Sequence, residues 1–86
     1  GMYSKYYSRG LTYYAMQEYD KAISDFDKAI ELKSDYAEAY RDLGKAYLGI
    51  GDKTKANEAF ETAISLFEEQ GNEYAAGQVK ELLSEL

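Results

Sequence analysis

The stretch Ala37–Gln70 reads AEAYRDLGKAYLGIGDKTKANEAFETAISLFEEQ, and the residues just before it, Tyr3–Tyr36, carry the same unit in altered form. At an offset of 34, Tyr6 falls on Tyr40, Gly10 on Gly44, Tyr13 on Tyr47, Ala22 on Ala56, Phe26 on Phe60 and Ala29 on Ala63. Lys21 with Lys55, Ile30 with Ile64 and Leu32 with Leu66 coincide as well. The recurring residues are mostly aromatic, small or aliphatic, so what repeats is packing. Stacked repeats usually present a surface to a partner and rarely perform chemistry.

Apolar spacing predicts five helices. Tyr3 to Ala15 has helical period, with tyrosine spilling over two faces. Tyr19 to Leu32 follows with Ala22, Phe26, Ala29 and Ile30 on one stripe and Asp25 interrupting its edge. Asp35 with Glu38 three residues on reads as a capping box, placing a third helix from near Tyr36 to about Leu48. Gly49, Ile50 and Gly51 break it, and Asp52 is the expected N-cap of a fourth helix with Ala56, Ala59, Phe60, Ala63, Ile64 and Phe67 on one face. A turn at Gly71 and Asn72 leads to a last helix through Leu86, striped by Ala75, Val79, Leu82, Leu83 and Leu86. Connections this short force antiparallel neighbours. Gly10 and Gly44 sit mid-helix, where glycine costs about 0.8–1 kcal/mol against alanine, so their recurrence points to helices that must approach closely.

Composition narrows function by exclusion. Eighty-six residues suffice for one domain with a modest core. With neither Cys nor His, the chain has no disulfide, no zinc site of the Cys and His type, and no thiol or imidazole catalyst. The net charge of −6 has no basic stripe to set against it, which argues against nucleic acid. No apolar run approaches a membrane span, and the Tyr-rich start lacks the apolar core of a signal peptide. The expectation is a soluble, cytoplasmic protein with no cofactor and no metal. Carboxylate neighbours such as Asp25 and Asp27, or Glu68 and Glu69, do not converge on one point and read as solubility. No phosphate loop, nucleophile elbow or calcium loop is present, so no enzyme is expected. Gly1 ahead of Met2 reads as the scar of a cleaved tag.

Tyr40, Leu43, Gly44, Tyr47, Ala56, Phe60 and Ala63, with Glu68 where proline is usual, make this unit resemble a tetratricopeptide repeat. The earlier copy keeps Tyr6, Gly10, Tyr13, Ala22, Phe26 and Ala29 but has Arg9 in place of leucine and Ser34 in place of proline. Unpaired burial of Arg9 would be costly, so it needs either an exposed edge or an acidic partner. The resemblance implies an all-α, right-handed α-solenoid of antiparallel helix pairs. Two repeats would occupy residues 3–36 and 37–70, and a C-terminal capping helix residues 71–86.

The resemblance also implies a concave groove lined by the first helix of each repeat. Carried over, its positions become Ser4, Tyr7, Ser8, Leu11, Tyr14 and Ala15, then Glu38, Arg41, Asp42, Lys45, Leu48 and Gly49. One end is aromatic, while the other offers Arg41 and Lys45, four residues apart on one helical face, to a peptide carboxylate. Glu38 and Asp42 are placed to neutralise those cations instead. The expected function is a non-catalytic protein-interaction module holding a peptide or partner segment through Tyr7, Leu11, Tyr14, Arg41, Lys45 and Leu48. The alternative is a homodimer that self-associates through the Tyr-rich first helix, since arrays of this kind usually need about three stacked units. Tyr7 and Leu11 stand where chaperone-binding members carry a Lys and Asn clamp, which speaks against that partner class.

Overall fold

The computed structural model describes residues Gly1–Leu86 as five helices: α1 (Met2–Ala15), α2 (Tyr19–Leu32), α3 (Ala37–Gly49), α4 (Lys53–Glu69) and α5 (Glu73–Ser84). Links of three or four residues fold each helix back against the one before it. The two hairpins α1/α2 and α3/α4 stack through α2 and α3, and α5 lies on α4.

The small residues of the repeat lie where helices meet. Ala22, Phe26 and Ala29 of α2 are fully buried, as are Ala56, Phe60 and Ala63 of α4. One core cluster joins Ala22 and Phe26 to Leu43, Ala46 and Ala59 across the junction of the hairpins. A second joins Ala37, Phe60, Phe67, Ala76 and Val79 and ties α5 to the second hairpin. Burying each phenylalanine contributes about 1.5–3 kcal/mol relative to leaving it exposed. The two matched glycines admit those rings. A Cβ at Gly10 would lie 2.7 Å from Phe26 Cε1, and one at Gly44 would lie 2.6 Å from Phe60 Cδ1.

The turns show where the two copies diverge. Gly51 and Gly71 take the left-handed backbone, at φ +82 and +74, that ends α3 and α4. In the first hairpin the same place is held by Gln17 at φ 62, a conformation a side chain adopts at a cost. Asp52 caps α4 by accepting from the Lys55 amide at 3.1 Å, and Asn72 caps α5 by accepting from the Ala75 amide at 3.1 Å. The capping box expected at Asp35 does not form. Tyr36 occupies the N-cap, and the Asp35 carboxylate instead accepts from Lys33 Nζ at 3.1 Å. The Asp35 carbonyl accepts from Gln70 Nε2 at 2.9 Å, which ties the turn between hairpins to the end of α4.

Arg9 has found its acidic partner, and Asp25 proves not to be a solubility residue. Arg9 Nε and Nη2 donate to the two oxygens of Asp25 at 2.7 and 2.8 Å. The Asp25 side chain is 6% exposed and that of Arg9 52%. A planar, two-point pairing of this kind satisfies a carboxylate that burial would otherwise penalise.

Candidate functional site: the face of the first helices

α1 and α3 touch across the hairpin junction, so their side chains form one continuous surface. Tyr7 stands at its centre, half-buried, with its ring 4.8 Å from that of Tyr36 and 5.9 Å from that of Phe26. Tyr3 meets Tyr36 edge to face at 5.6 Å, so three tyrosines run along one edge. The Tyr7 hydroxyl donates to Asp42 Oδ2 at 2.5 Å and accepts from Arg41 Nη2 at 3.3 Å. Burial and then the Asp42 carboxylate push the Tyr7 hydroxyl well above the ordinary tyrosine range, so it remains a neutral donor.

Arg41 is spoken for by its neighbour. Its Nε and Nη2 donate to the Asp42 oxygens, both at 3.2 Å. Burial is the largest single influence and works against the Arg41 charge, but the hydrogen bonds and charge of Asp42, with Tyr7, together outweigh it and hold the guanidinium above its usual range. Of the two neutralising carboxylates envisaged from the sequence, Asp42 engages Arg41 through a hydrogen bond and Glu38 does not. Lys45 differs: it is half-buried and makes no ion pair. With Arg41 it lines a depression of about 290 Å³ completed by Gln78, Glu81 and Leu82 of α5.

The remaining expected residues are split between the surface and the packing. Leu11 is exposed at 39%. Tyr14 is half-buried, with its ring edge to face with Tyr19 at 5.6 Å, and burial raises its hydroxyl pKa. Leu48 is half-buried against the cluster that holds α5. Gly49, a groove position by resemblance, takes up a packing role, because a Cβ there would lie 2.6 Å from the Tyr19 ring. Tyr7, Arg41 and Asp42 are therefore joined directly. Leu11 is exposed, and Lys45 makes no ion pair within the chain.

Three lining features escaped the sequence. Tyr36 was missed because its counterpart 34 residues on is Gln70, so the repeat match hides it. Gln78, Glu81 and Leu82 belong to the helix that has no copy in the first hairpin. Asp42 was read as a groove position and a neighbour of Arg41, and its bond to the Tyr7 hydroxyl is what the sequence did not show. No group of three Asp or Glu side chains converges as a metal site. No helix is long and apolar enough to cross a membrane.

Comparison with known proteins places this geometry. A family profile described as TPR repeat matches residues 10–51, and one described as tetratricopeptide repeat matches residues 37–70. Among solved structures, a Bordetella parapertussis protein determined in solution aligns with a TM-score of 0.85 at 24% identity, over 93% of this chain and 70% of that one. That likeness concerns the fold alone. One crystal structure of MamA aligns at 36% identity over 80% of this chain and 38% of its own length, with a TM-score of 0.73. Another MamA structure aligns at 29% identity over 96% of this chain and 57% of its own, also at 0.73. The chain thus spans less than two thirds of either MamA chain. No curated protein matches it.

Proposed function

Because the chain belongs to the tetratricopeptide repeat family, whose repeats generally mediate protein–protein interaction, we propose that it holds a peptide segment of a partner protein against the face of α1 and α3. In this reading the two repeats span residues 3–36 and 37–70, and residues 71–86 close the array. The observation that carries the reading is Lys45, which makes no ion pair and lines a depression with Arg41, Gln78, Glu81 and Leu82. An ammonium with no internal ion-pair partner offers a site for a carboxylate brought in from outside. Leu11 supplies an exposed apolar contact and the Tyr3, Tyr7 and Tyr36 rings a rigid edge, the kind of surface that recognition sites use.

Tyr7 and Arg41 act differently from Lys45. Their mutual bonds with Asp42 fix the floor of the site, so they shape it more than they bind. Tyr7, Tyr13 and Tyr14 all pack on the core of their own chain. That packing leaves less of these three rings for a second copy of the chain, which favours peptide binding over self-association through the first helix.

Selection from a peptide library displayed on phage tests it. The wild-type protein is expected to enrich one motif with an acidic group, and Lys45→Glu to lose or reverse that charge preference. Enrichment that Lys45→Glu leaves unchanged would remove Lys45 from the site, and no enriched motif would defeat the binding reading.

A further inference from the structure

Where α1 meets the link between α2 and α3, a cation is seated against two tyrosine rings. Tyr3 and Tyr36 meet edge to face at 5.6 Å with their planes at 86°, and the Lys33 ammonium lies 5.8 Å from the first ring centroid and 5.2 Å from the second. Both distances are within the reach of a cation–π contact. The same ammonium donates to the Asp35 carboxylate at 3.1 Å. That hydrogen bond is the largest influence holding the ammonium above its ordinary pKa, and Tyr3 and Glu38 add to it against the cost of desolvation. Thirty-four residues on, Tyr3, Lys33 and Tyr36 become Ala37, Phe67 and Gln70. Ala37 and Phe67 are buried in the cluster that ties α5 to the second hairpin. The second copy builds core at these positions, whereas the first holds a cation there at the surface.

We propose that the Tyr3–Tyr36 cleft is a subsite for a lysine or arginine side chain of the partner peptide, and that Lys33 is its resident occupant, which the partner's cation displaces. The inference rests on peptide binding at the face of α1 and α3. Lys33 itself shows that the cleft accepts an alkylammonium. It stands in the link after α2, its side chain stays 34% exposed, and the Asp35 carboxylate that holds it is 68% exposed. Exposed pairs of this kind contribute little to stability. Exchange for an incoming cation keeps the ring and carboxylate contacts and returns Lys33 to water. Glu38, in the first turn of α3, brings a second carboxylate that makes no ion pair of its own. Tyr7 joins the cleft to the rest of the face, with its ring 4.8 Å from Tyr36 and its hydroxyl bonded to Asp42 and Arg41. Glu38 and Lys45 are seven residues apart on α3, about 10 Å along its axis. An extended peptide covers that span in about three residues. The segment that fits is therefore dipolar, with a basic residue in the tyrosine cleft and an acidic group about three residues away at Lys45.

The test is peptide-library selection followed by fluorescence-polarisation titration of the enriched peptide. The wild-type motif is expected to carry a basic residue about three positions from its acidic group. Tyr3→Leu is expected to lose the basic preference and keep the acidic one, and Lys45→Glu the converse. Lys33→Ala is expected to tighten binding about three- to tenfold, because a cleft filled for about two thirds to nine tenths of the time lowers the apparent affinity by that factor. Lys28→Ala, which removes the same charge from the depression beside Arg9 and Asp25, is expected to leave binding unchanged. An acidic motif with no basic residue would overturn the inference and leave peptide binding standing, whereas no motif at all would defeat both. Lys33→Ala that binds no more tightly than wild type, or no more tightly than Lys28→Ala, would also overturn it. Should Tyr3→Leu not fold, Lys33→Ala at its partly exposed link position decides the matter.

Discussion

Replacing Gly44 by alanine and, separately, Gly77 by alanine asks whether the repeated glycine exists for close packing. A Cβ at Gly44 would lie 2.6 Å from both Cδ1 and Cε1 of Phe60 and 3.1 Å from Cζ. Carbon atoms rest about 3.5–4.0 Å apart. Phe60 has no exposed surface, so the ring has nowhere to swing, and α3 must move off α4. Overpacking of this kind costs about 1–3 kcal/mol. Removing glycine from a helix interior returns about 0.8–1 kcal/mol. The expected net loss for Gly44→Ala is about 1 kcal/mol, a fall in Tm of about 4–8 °C for a chain of this size. Gly77 also lies within a helix, but a Cβ there meets nothing within 4 Å. Gly77→Ala should show the helix gain alone and raise Tm by about 3–8 °C. The difference between the two variants isolates the ring contact. Thermal and urea unfolding followed by circular dichroism measures it. If Gly44→Ala stabilises as much as Gly77→Ala, the steric account of the repeat glycine is wrong.

Gln17→Gly should relieve the left-handed strain that Gly51 avoids at the equivalent turn, stabilising the protein by about 0.5–1 kcal/mol in urea unfolding; a loss of stability would show that the Gln17 conformation is not strained. Arg9→Ala should lower Tm more than R9A/D25A, because the single change leaves the buried Asp25 carboxylate unpaired, and the reverse order in a double-mutant cycle would refute the pairing. Burial raises the hydroxyls of Tyr7, Tyr14, Tyr36 and Tyr47 above their ordinary range, and a hydrogen bond to Asp35 raises Lys33. Each group loses its proton first in the unfolded chain, so its contribution is intact below about pH 10 and is lost as pH rises beyond it. Urea titrations across that range should show Tyr7→Phe losing stability less steeply than wild type, and parallel curves would show that Tyr7 does not contribute.

The helices and their packing were legible because they rest on local, periodic properties. Phe26 and Phe60 each need a neighbouring residue without a side chain, and Gly10 and Gly44 supply it at the same offset, so both halves of the contact are visible in one copy and verified in the other. Asp52 was legible for a similar reason, since a cap and the amide it satisfies lie three residues apart, while Asn72, read only as part of a turn, caps α5 in the same way. Asp35 misled because α3 starts one residue later than the capping box requires, with Tyr36 at the N-cap, and the Asp35 carboxylate pairs with Lys33 instead.

The site was less legible, because its chemistry depends on residues far apart in the chain. Tyr7 meets Asp42 across 35 positions, and Arg9 meets Asp25 across 16. No periodicity announces either pairing. Residue size and spacing along the chain specify a repeated helical array, because the close approaches of Gly10 to Phe26 and of Gly44 to Phe60 are each written into the hairpin that makes them. Which cations are satisfied from within, as Arg9 and Arg41 are, and which are left without an ion pair, as Lys45 is, is settled only when the helices come together, since a charge's partners are set by distance in space rather than by order in the chain.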